Sequence, residues 1–113
     1  MPVSSWMTTF PAEIIVCDRE GTILEMNETA IKLYESAGGA ALIGRNLYDH
    51  HEEPSRSQVR TIINQRETIL YTTTKGGLKK LVCIAPWYQA EDYAGFSLMV
   101  LDLPAILPDI NKD

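Results

Sequence analysis

Residues 18–30 read Asp-Arg-Glu-Gly-Thr-Ile-Leu-Glu-Met-Asn-Glu-Thr-Ala and compress a strand end, a turn, a second strand and a helix cap into one run. Upstream, Ile14-Ile15-Val16-Cys17 is apolar and rich in β-branched residues, which suits a strand. Downstream, Ala30, Leu33, Tyr34 and Ala37 recur at helical spacing with Ile31 beside them. A hairpin is expected between the two strands. Asp18 would accept hydrogen bonds from the turn amides, and Gly21 would take the positive φ that such a connection needs at its last position. Asn27 reads as the N-cap of the following helix, with Glu28 placed favourably at the positive end of its dipole.

The remaining elements follow from the same signals. Gly38-Gly39 is expected to end the helix begun at Asn27, because two successive glycines make its continuation costly. Pro54-Ser55 opens the longest helix, in which Val59, Ile62 and Ile63 form an apolar stripe while Arg56, Arg60 and Arg66 fall mostly off it. Residues 67–74 are β-branched and aromatic, and Lys75-Gly76-Gly77 reads as a turn into a strand over residues 78–88. A polar turn over residues 89–92 leads to a last strand over residues 93–103. Pro86, inside a strand-like run, points to a bulge or a sheet margin. Residues 1–11 carry Trp6, Met7 and Phe10, apolar enough to pack as a cap or to present a partner surface. The expected organisation is therefore an N-terminal cap over residues 1–11, a domain over 12–103 and a tail over 104–113. Pro104 and Pro108 prevent an unbroken helix through that tail.

Written as Asp-x-x-Gly-x-Ile-x-x-x-Asn-x-x-Ala, the run at residues 18–30 resembles the opening of PAS domains. Leu42-Ile43-Gly44-Arg45-Asn46-Leu47-Tyr48-Asp49 is similar to that family's second landmark, a Gly-x-Asn/Ser-Leu segment at the turn into a short helix. His51-Glu52-Glu53-Pro54 stands where the family has a polar stretch before its longest helix. Gly95-Phe96-Ser97-Leu98-Met99-Val100-Leu101-Asp102 resembles its last strand. The likeness covers roughly residues 12 to 103. It implies an α+β fold with a five-stranded antiparallel sheet, in the order second, first, fifth, fourth, third, and short helices on one face. It also implies a sensory or signalling module rather than an enzyme. Such domains often pass from the last strand into a coupling helix, and the prolines here depart from that pattern. The chain is either a stand-alone module or a piece of a longer protein.

Composition narrows the function classes. A chain of 113 residues suffices for one domain with a real core. A net charge of −5 with ten scattered Lys and Arg gives no basic face for nucleic-acid phosphates. No apolar run approaches the length of a membrane span, and the N-terminus lacks a secretory signal, so a cytoplasmic location is expected. Cys17 and Cys83 both lie in apolar runs and read as buried reduced thiols. In the sheet order the resemblance implies, the last strand separates them by roughly 9 to 10 Å. A disulfide tolerates at most about 7 Å between Cα atoms.

Asp49-His50-His51-Glu52-Glu53 is the densest cluster of potential ligands and acid-base groups. On a helix His50 and His51 would diverge by about 100°, while Asp49 and Glu53 would share a face. A third metal ligand is not evident, so no metal site is assigned. Haem-binding PAS domains take an axial histidine from the longest helix, and residues 55–63 contain none, which disfavours haem. Flavin photoreceptors of the family need a cysteine shortly after Gly-Arg-Asn. Leu47 stands there, which disfavours an adduct-forming flavin. The expected site is the family's cavity between sheet and helices, with Tyr34, Leu47, Tyr48, His51, Val59, Ile63, Tyr71, Trp87, Phe96 and Ser97 assigned to it. Most of these would also serve as ordinary core. The expected partners are a small molecule, a second copy in a homodimer or a signalling protein. Two other readings stand beside this one. One is a small enzyme with an acid or base from Asp49, His50 or His51, and the other is a ligand-free dimerisation module.

Overall fold

A computed structural model of the protein describes residues 5–113 except 51, and the backbone alone of residue 50. A short helix α1 (Ser5–Thr8) precedes the hairpin β1 (Glu13–Asp18) and β2 (Ile23–Met26). Helix α2 (Glu28–Leu33), 3₁₀ turns at Glu35–Ala37, Gly39–Leu42 and Leu47–His50, and helix α3 (Ser55–Asn64) follow. Strands β3 (Ile69–Lys75), β4 (Leu78–Gln89) and β5 (Asp92–Asp102) complete the chain's five-stranded sheet. All pairings are antiparallel and the order is β2-β1-β5-β4-β3, as the resemblance implied.

The hairpin forms for the reasons residues 18–30 suggested. Oδ1 of Asp18 accepts from the amides of Glu20 (3.0 Å) and Thr22 (2.9 Å), and Gly21 adopts φ +89°. Asn27 does more than cap α2. Its Oδ1 accepts from Ala30 N and from Ile14 N, both at 3.0 Å, while its Nδ2 donates to the carbonyls of Met7 (3.0 Å) and Ala12 (2.8 Å). This side chain is buried and uses all four of its hydrogen-bonding positions, so one residue joins the N-terminal segment, β1 and α2.

The expectation that Gly38-Gly39 ends the first helix needs correction. Helix α2 already stops at Leu33, with Tyr34 at its C-cap, and the chain continues in 3₁₀ turns that Gly38 separates. The i→i+3 bonds of Ala37 N to Tyr34 O (3.0 Å) and Gly38 N to Glu35 O (3.2 Å) tighten the path there. Asp49 and Glu53 likewise do not share a helix. The 3₁₀ turn ends at His50, and the Glu53 carboxylate instead accepts from Ser57 N and Ser57 Oγ in the first turn of α3. Pro86 lies past Ile84, the last β4 residue paired with β3, where β4 has become the sheet margin, and a bulge follows between Trp87 and Tyr88.

Strand alternation sets the core. Ile15, Cys17, Phe96, Leu98, Ile84, Val100 and Val82 share one face, as the cross-strand pairs Ile15↔Leu98, Cys17↔Phe96, Leu98↔Ile84 and Val100↔Val82 require. That face meets Ala30, Leu42, Leu47, Tyr48 and Ile63 from the helices and turns in a single core. The opposite face carries Val16, Ser97, Met99, Leu101, Leu81, Cys83 and Leu70. Cys17 is fully buried but Cys83 is only half-buried, because it belongs to that second face. Both thiols are free.

Candidate functional site

The cavity begins with strand parity. Across the inner face, Glu13, Val100, Val82 and Tyr71 stand in register on β1, β5, β4 and β3, forming a row with a carboxylate at one end and a phenol at the other. The adjacent row brings Lys80 and Thr73 alongside. Helix α3 covers the Tyr71 end with Val59 and Ile63, while Leu33 and Tyr34, at the end of α2, cover the Glu13 end. The space left between them is a cavity of about 400 Å³ lined by Glu13, Leu33, Tyr34, Leu47, Val59, Ile63, Tyr71, Thr73, Lys80, Val82, Leu98 and Val100. This size and mostly apolar lining, with a few converging polar groups, suit a small-molecule site. A smaller apolar cavity of about 170 Å³, lined by Ile15, Ile23, Met26 and Leu42 among others, lies beyond Tyr34 and Leu47, which line both.

Of the residues assigned from sequence, Tyr34, Leu47, Val59, Ile63 and Tyr71 come together here. Tyr48 and Phe96 are buried but pack on each other, with ring centroids 6.3 Å apart, away from the cavity. The Tyr48 ring is held under the Arg60 guanidinium at 4.3 Å, and Arg56 Nε donates to the Tyr48 carbonyl at 3.1 Å. The arginines off the apolar stripe of α3 thus tie it to the preceding 3₁₀ turn. Trp87 and Ser97 lie on the other face of the sheet, where Trp87 Nε1 donates to Cys17 O at 2.9 Å and Ser97 Oγ donates to Ala85 O at 3.2 Å. Both were assigned to the cavity from their residue type, whereas strand parity directs them away from it. His51 lies outside the described residues.

Glu13 was missed. It is 4% exposed and lines the cavity, and the period-2 signal that would have found it is its spacing from Ile15 and Cys17 on the same strand. The Tyr34 hydroxyl donates to it. Burial, and next the Glu13 charge, push the Tyr34 phenol well above its ordinary value, so that it stays a donor. Tyr71 is raised by burial as well.

Of the residues offered as an alternative acid or base, Asp49 is exposed to solvent and lines neither of these two cavities, while the His50 side chain and His51 lie outside the described residues. Among the described residues no three His, Cys, Asp or Glu side chains converge to hold a metal. Helix α3 presents Val59 and Ile63 to the cavity, so an axially ligated haem finds no imidazole on that helix. No helix among the described residues is long and apolar enough to cross a membrane.

Comparisons with known proteins agree with this architecture. The family model for the PAS fold matches residues 4–83. A search of curated proteins found no match. Among solved structures, the chain is similar to the Aer2 receptor from Vibrio cholerae, a dual PAS-haem oxygen sensor, with 20% identity, a TM-score of 0.67 and coverage of 82% of this chain and 95% of that one. It is also similar to the PAS domain of the histidine kinase ThkA (21% identity, TM-score 0.68, coverage 82% and 100%). A third similar structure is a domain of an HTR-like protein from Haloarcula marismortui (18% identity, TM-score 0.60, coverage 84% and 100%).

Proposed function

Because this chain belongs to the PAS fold family, we propose that it is a sensory module whose input is a small molecule held between the inner sheet face and α3. The single observation that supports this reading most is the cavity of about 400 Å³ that Tyr34, Leu47, Val59, Ile63 and Tyr71 enclose. A recess of this size, open to solvent and lined largely by apolar side chains, leaves those side chains without packing partners on one side, and a small molecule that fills it supplies them. Occupancy would change how α3 and the Tyr34 turn sit against β3 and β1, and those elements carry the signal outward. Similar structures come from a receptor and a histidine kinase, which supports a signalling role by analogy of fold.

Output through association is the second half of the proposal. The outer face presents Leu70, 60% exposed, beside half-buried Leu81, Cys83, Met99 and Leu101. Such a run of apolar side chains suits a homodimer or a signalling partner.

The test is native mass spectrometry of freshly purified protein together with a thermal shift against a metabolite panel, on wild type and Val59→Trp. The expected result is a retained or stabilising small molecule whose effect Val59→Trp abolishes. A protein that stays monomeric at all concentrations, carries nothing and is stabilised by nothing would count against both halves.

A further inference from the structure

We infer that residues 104–110 form a strand that pairs with the β3 edge of a second copy, so that two copies exchange tails and close as a dimer. This contact lies apart from the outer-face association proposed above and does not depend on a ligand in the cavity. The two edges of the sheet differ. At β2, Ile23 N donates to Arg45 O and Gly44 N donates to Ile23 O, both at 2.8 Å, so residues 44 and 45 cover that edge. Among the described residues no segment hydrogen-bonds to the outer edge of β3. The turn after β3 has two residues, Gly76 at φ +57° and Gly77 at φ +79°, so Lys75 and Leu78 close the ladder as a hydrogen-bonded pair. Alternation from that pair turns the amides and carbonyls of Leu70, Thr72 and Thr74 outward. The stretch from Leu70 to Thr74 also lacks the lysines, prolines and bulges that guard exposed edges.

The tail matches that edge through the parity of its prolines. Pro104 and Pro108 have no N–H, and each restricts the residue before it, Leu103 and Leu107, to extended conformations. A strand tolerates them where the missing N–H would point to solvent. That leaves Ala105, Leu107 and Asp109 to bond Leu70, Thr72 and Thr74. Paired residues share a face, so Leu107 joins Leu70 on the outer face, while Ile106 and Ile110 turn to the inner side with Tyr71 and Thr73. There they meet a groove of about 650 Å³ between α3 and β3, lined by Val59, Ile62, Tyr71 and Thr73 with Ser57 and Thr61, and by no charged residue. In a single copy these tail side chains lie in solvent, Ile106 84% exposed, Leu107 65% and Ile110 79%. Reach assigns the pairing to a second copy. Leu103 N still donates to Lys79 O at 2.9 Å, and the two residues from there to Ala105 span about 7 Å. A strand added beyond β3 lies three strand spacings from β5, about 14 Å. Two copies that each lay a tail on the other's edge satisfy both edges and form a closed pair.

The test measures association of the full chain by sedimentation from about 10 μM to 1 mM, with amide hydrogen exchange read at Leu70, Thr72 and Thr74. A dimer is expected, and those three amides should gain protection as it forms. Ile106→Asp combined with Ile110→Asp alters only exposed side chains and should give a monomer that keeps its fold by circular dichroism. Ala105→Pro removes an N–H that faces β3 and should weaken association roughly tenfold, whereas Pro104→Ala should leave it unchanged. In a mixture of isotope-labelled and unlabelled protein, intermolecular nuclear Overhauser contacts should join the Ile106 methyls to the Tyr71 ring. A monomer at every concentration overturns the proposal, as does a dimer that the tail variants leave intact. Protection of the three amides that persists in a monomer assigns the pairing to the chain's own tail and overturns the exchange between copies. Equal effects of Ala105→Pro and Pro104→Ala overturn the strand pairing.

Discussion

The indole nitrogen of Trp87 donates to the carbonyl of Cys17 at 2.9 Å, joining strands β4 and β1 across the intervening β5. The reach is available because the β5 residue opposite Trp87 is Gly95. A Cβ at Gly95 would collide with that same Cys17 carbonyl. Side chain and glycine therefore form one device that lets a large aromatic lie across the sheet.

Its two halves should differ in cost. Trp87→Phe keeps much of the apolar contact and loses the hydrogen bond, for an expected loss of about 1–2 kcal/mol. Gly95→Ala forces backbone displacement between β5 and β1 and should cost more, about 3 kcal/mol or above. Urea unfolding of the two variants checks the order, and equal losses would contradict it.

Asn27 should be among the most sensitive positions in the chain. Asn27→Ala removes the cap of α2 and leaves the Ile14 amide and the Ala12 carbonyl without their side-chain partner in a buried site. The expected destabilisation is about 3–5 kcal/mol, beyond the loss of a surface cap alone. Asn27→Asp keeps both accepted bonds and loses both donated ones, so its stability should fall between wild type and Asn27→Ala. Chemical denaturation of the three proteins gives the ranking.

The two thiols should react at very different rates. Cys17 is fully buried, and desolvation, with a smaller contribution from Asp18, pushes its pKa up to about 12. Cys83 is half-buried on the outer face. Timed iodoacetamide labelling at pH 8, followed by peptide mass spectrometry, should modify Cys83 first and Cys17 only as the protein unfolds, since the thiolate is the reactive form. Labelling of Cys17 at the rate of Cys83 would mean that the β1–β5 core opens readily.

Stability should decline in alkali. The Tyr34 phenol, with an ordinary value of 10.0, is raised in the folded state by burial and by Glu13. The folded protein therefore holds the proton more tightly than the unfolded chain, so the stabilisation is complete below about pH 10 and is lost as pH rises above it. Tyr48, Tyr71 and Tyr93 are raised as well and add to the same decline. Urea midpoints between pH 8 and 11 should fall in the wild-type protein and fall less steeply in Tyr34→Phe. A wild-type midpoint independent of pH would contradict the burial of these phenols.

Local structure was well marked along the chain. The Asp18 turn, the Gly21 conformation, the Asn27 cap, the start of α3 at Ser55 and the turn at Lys75-Gly76-Gly77 each depend on neighbours a few positions away, and each formed where those residues stand. The helix begun at Glu28 ends at Leu33, and Tyr34 at its C-cap interacts with Glu13, a contact between residues far apart in sequence that local spacing does not report.

The site was legible only in part, and strand parity explains the division. Val59 and Ile63, on the apolar stripe of α3, line the cavity, whereas Trp87 and Ser97, assigned to it by residue type, lie on the opposite face of the sheet. Alternation along a strand divides its residues into two sets, but it does not say which set the helices will cover. Register shifts also interrupt alternation locally: opposite Val16 and Cys17 the partner strand β2 carries Leu24 as an extra residue, and opposite Trp87 and Tyr88 the partner strand β5 carries Ala94.

The sequence alone determined the hairpin at residues 18–21, the Asn27 cap and the turn at residues 75–77, because those are set by backbone conformations that Gly, Asn and Asp favour locally. Only the tertiary structure decided that Glu13, a charged residue at the edge of an apolar run, faces inward beside Tyr34, and that Tyr48 and Phe96 fill the core instead of lining the cavity. Burial of a charge is a property of what surrounds it, and those surroundings come from α2, α3, β4 and β5 packing together, none of them near Glu13 in the chain.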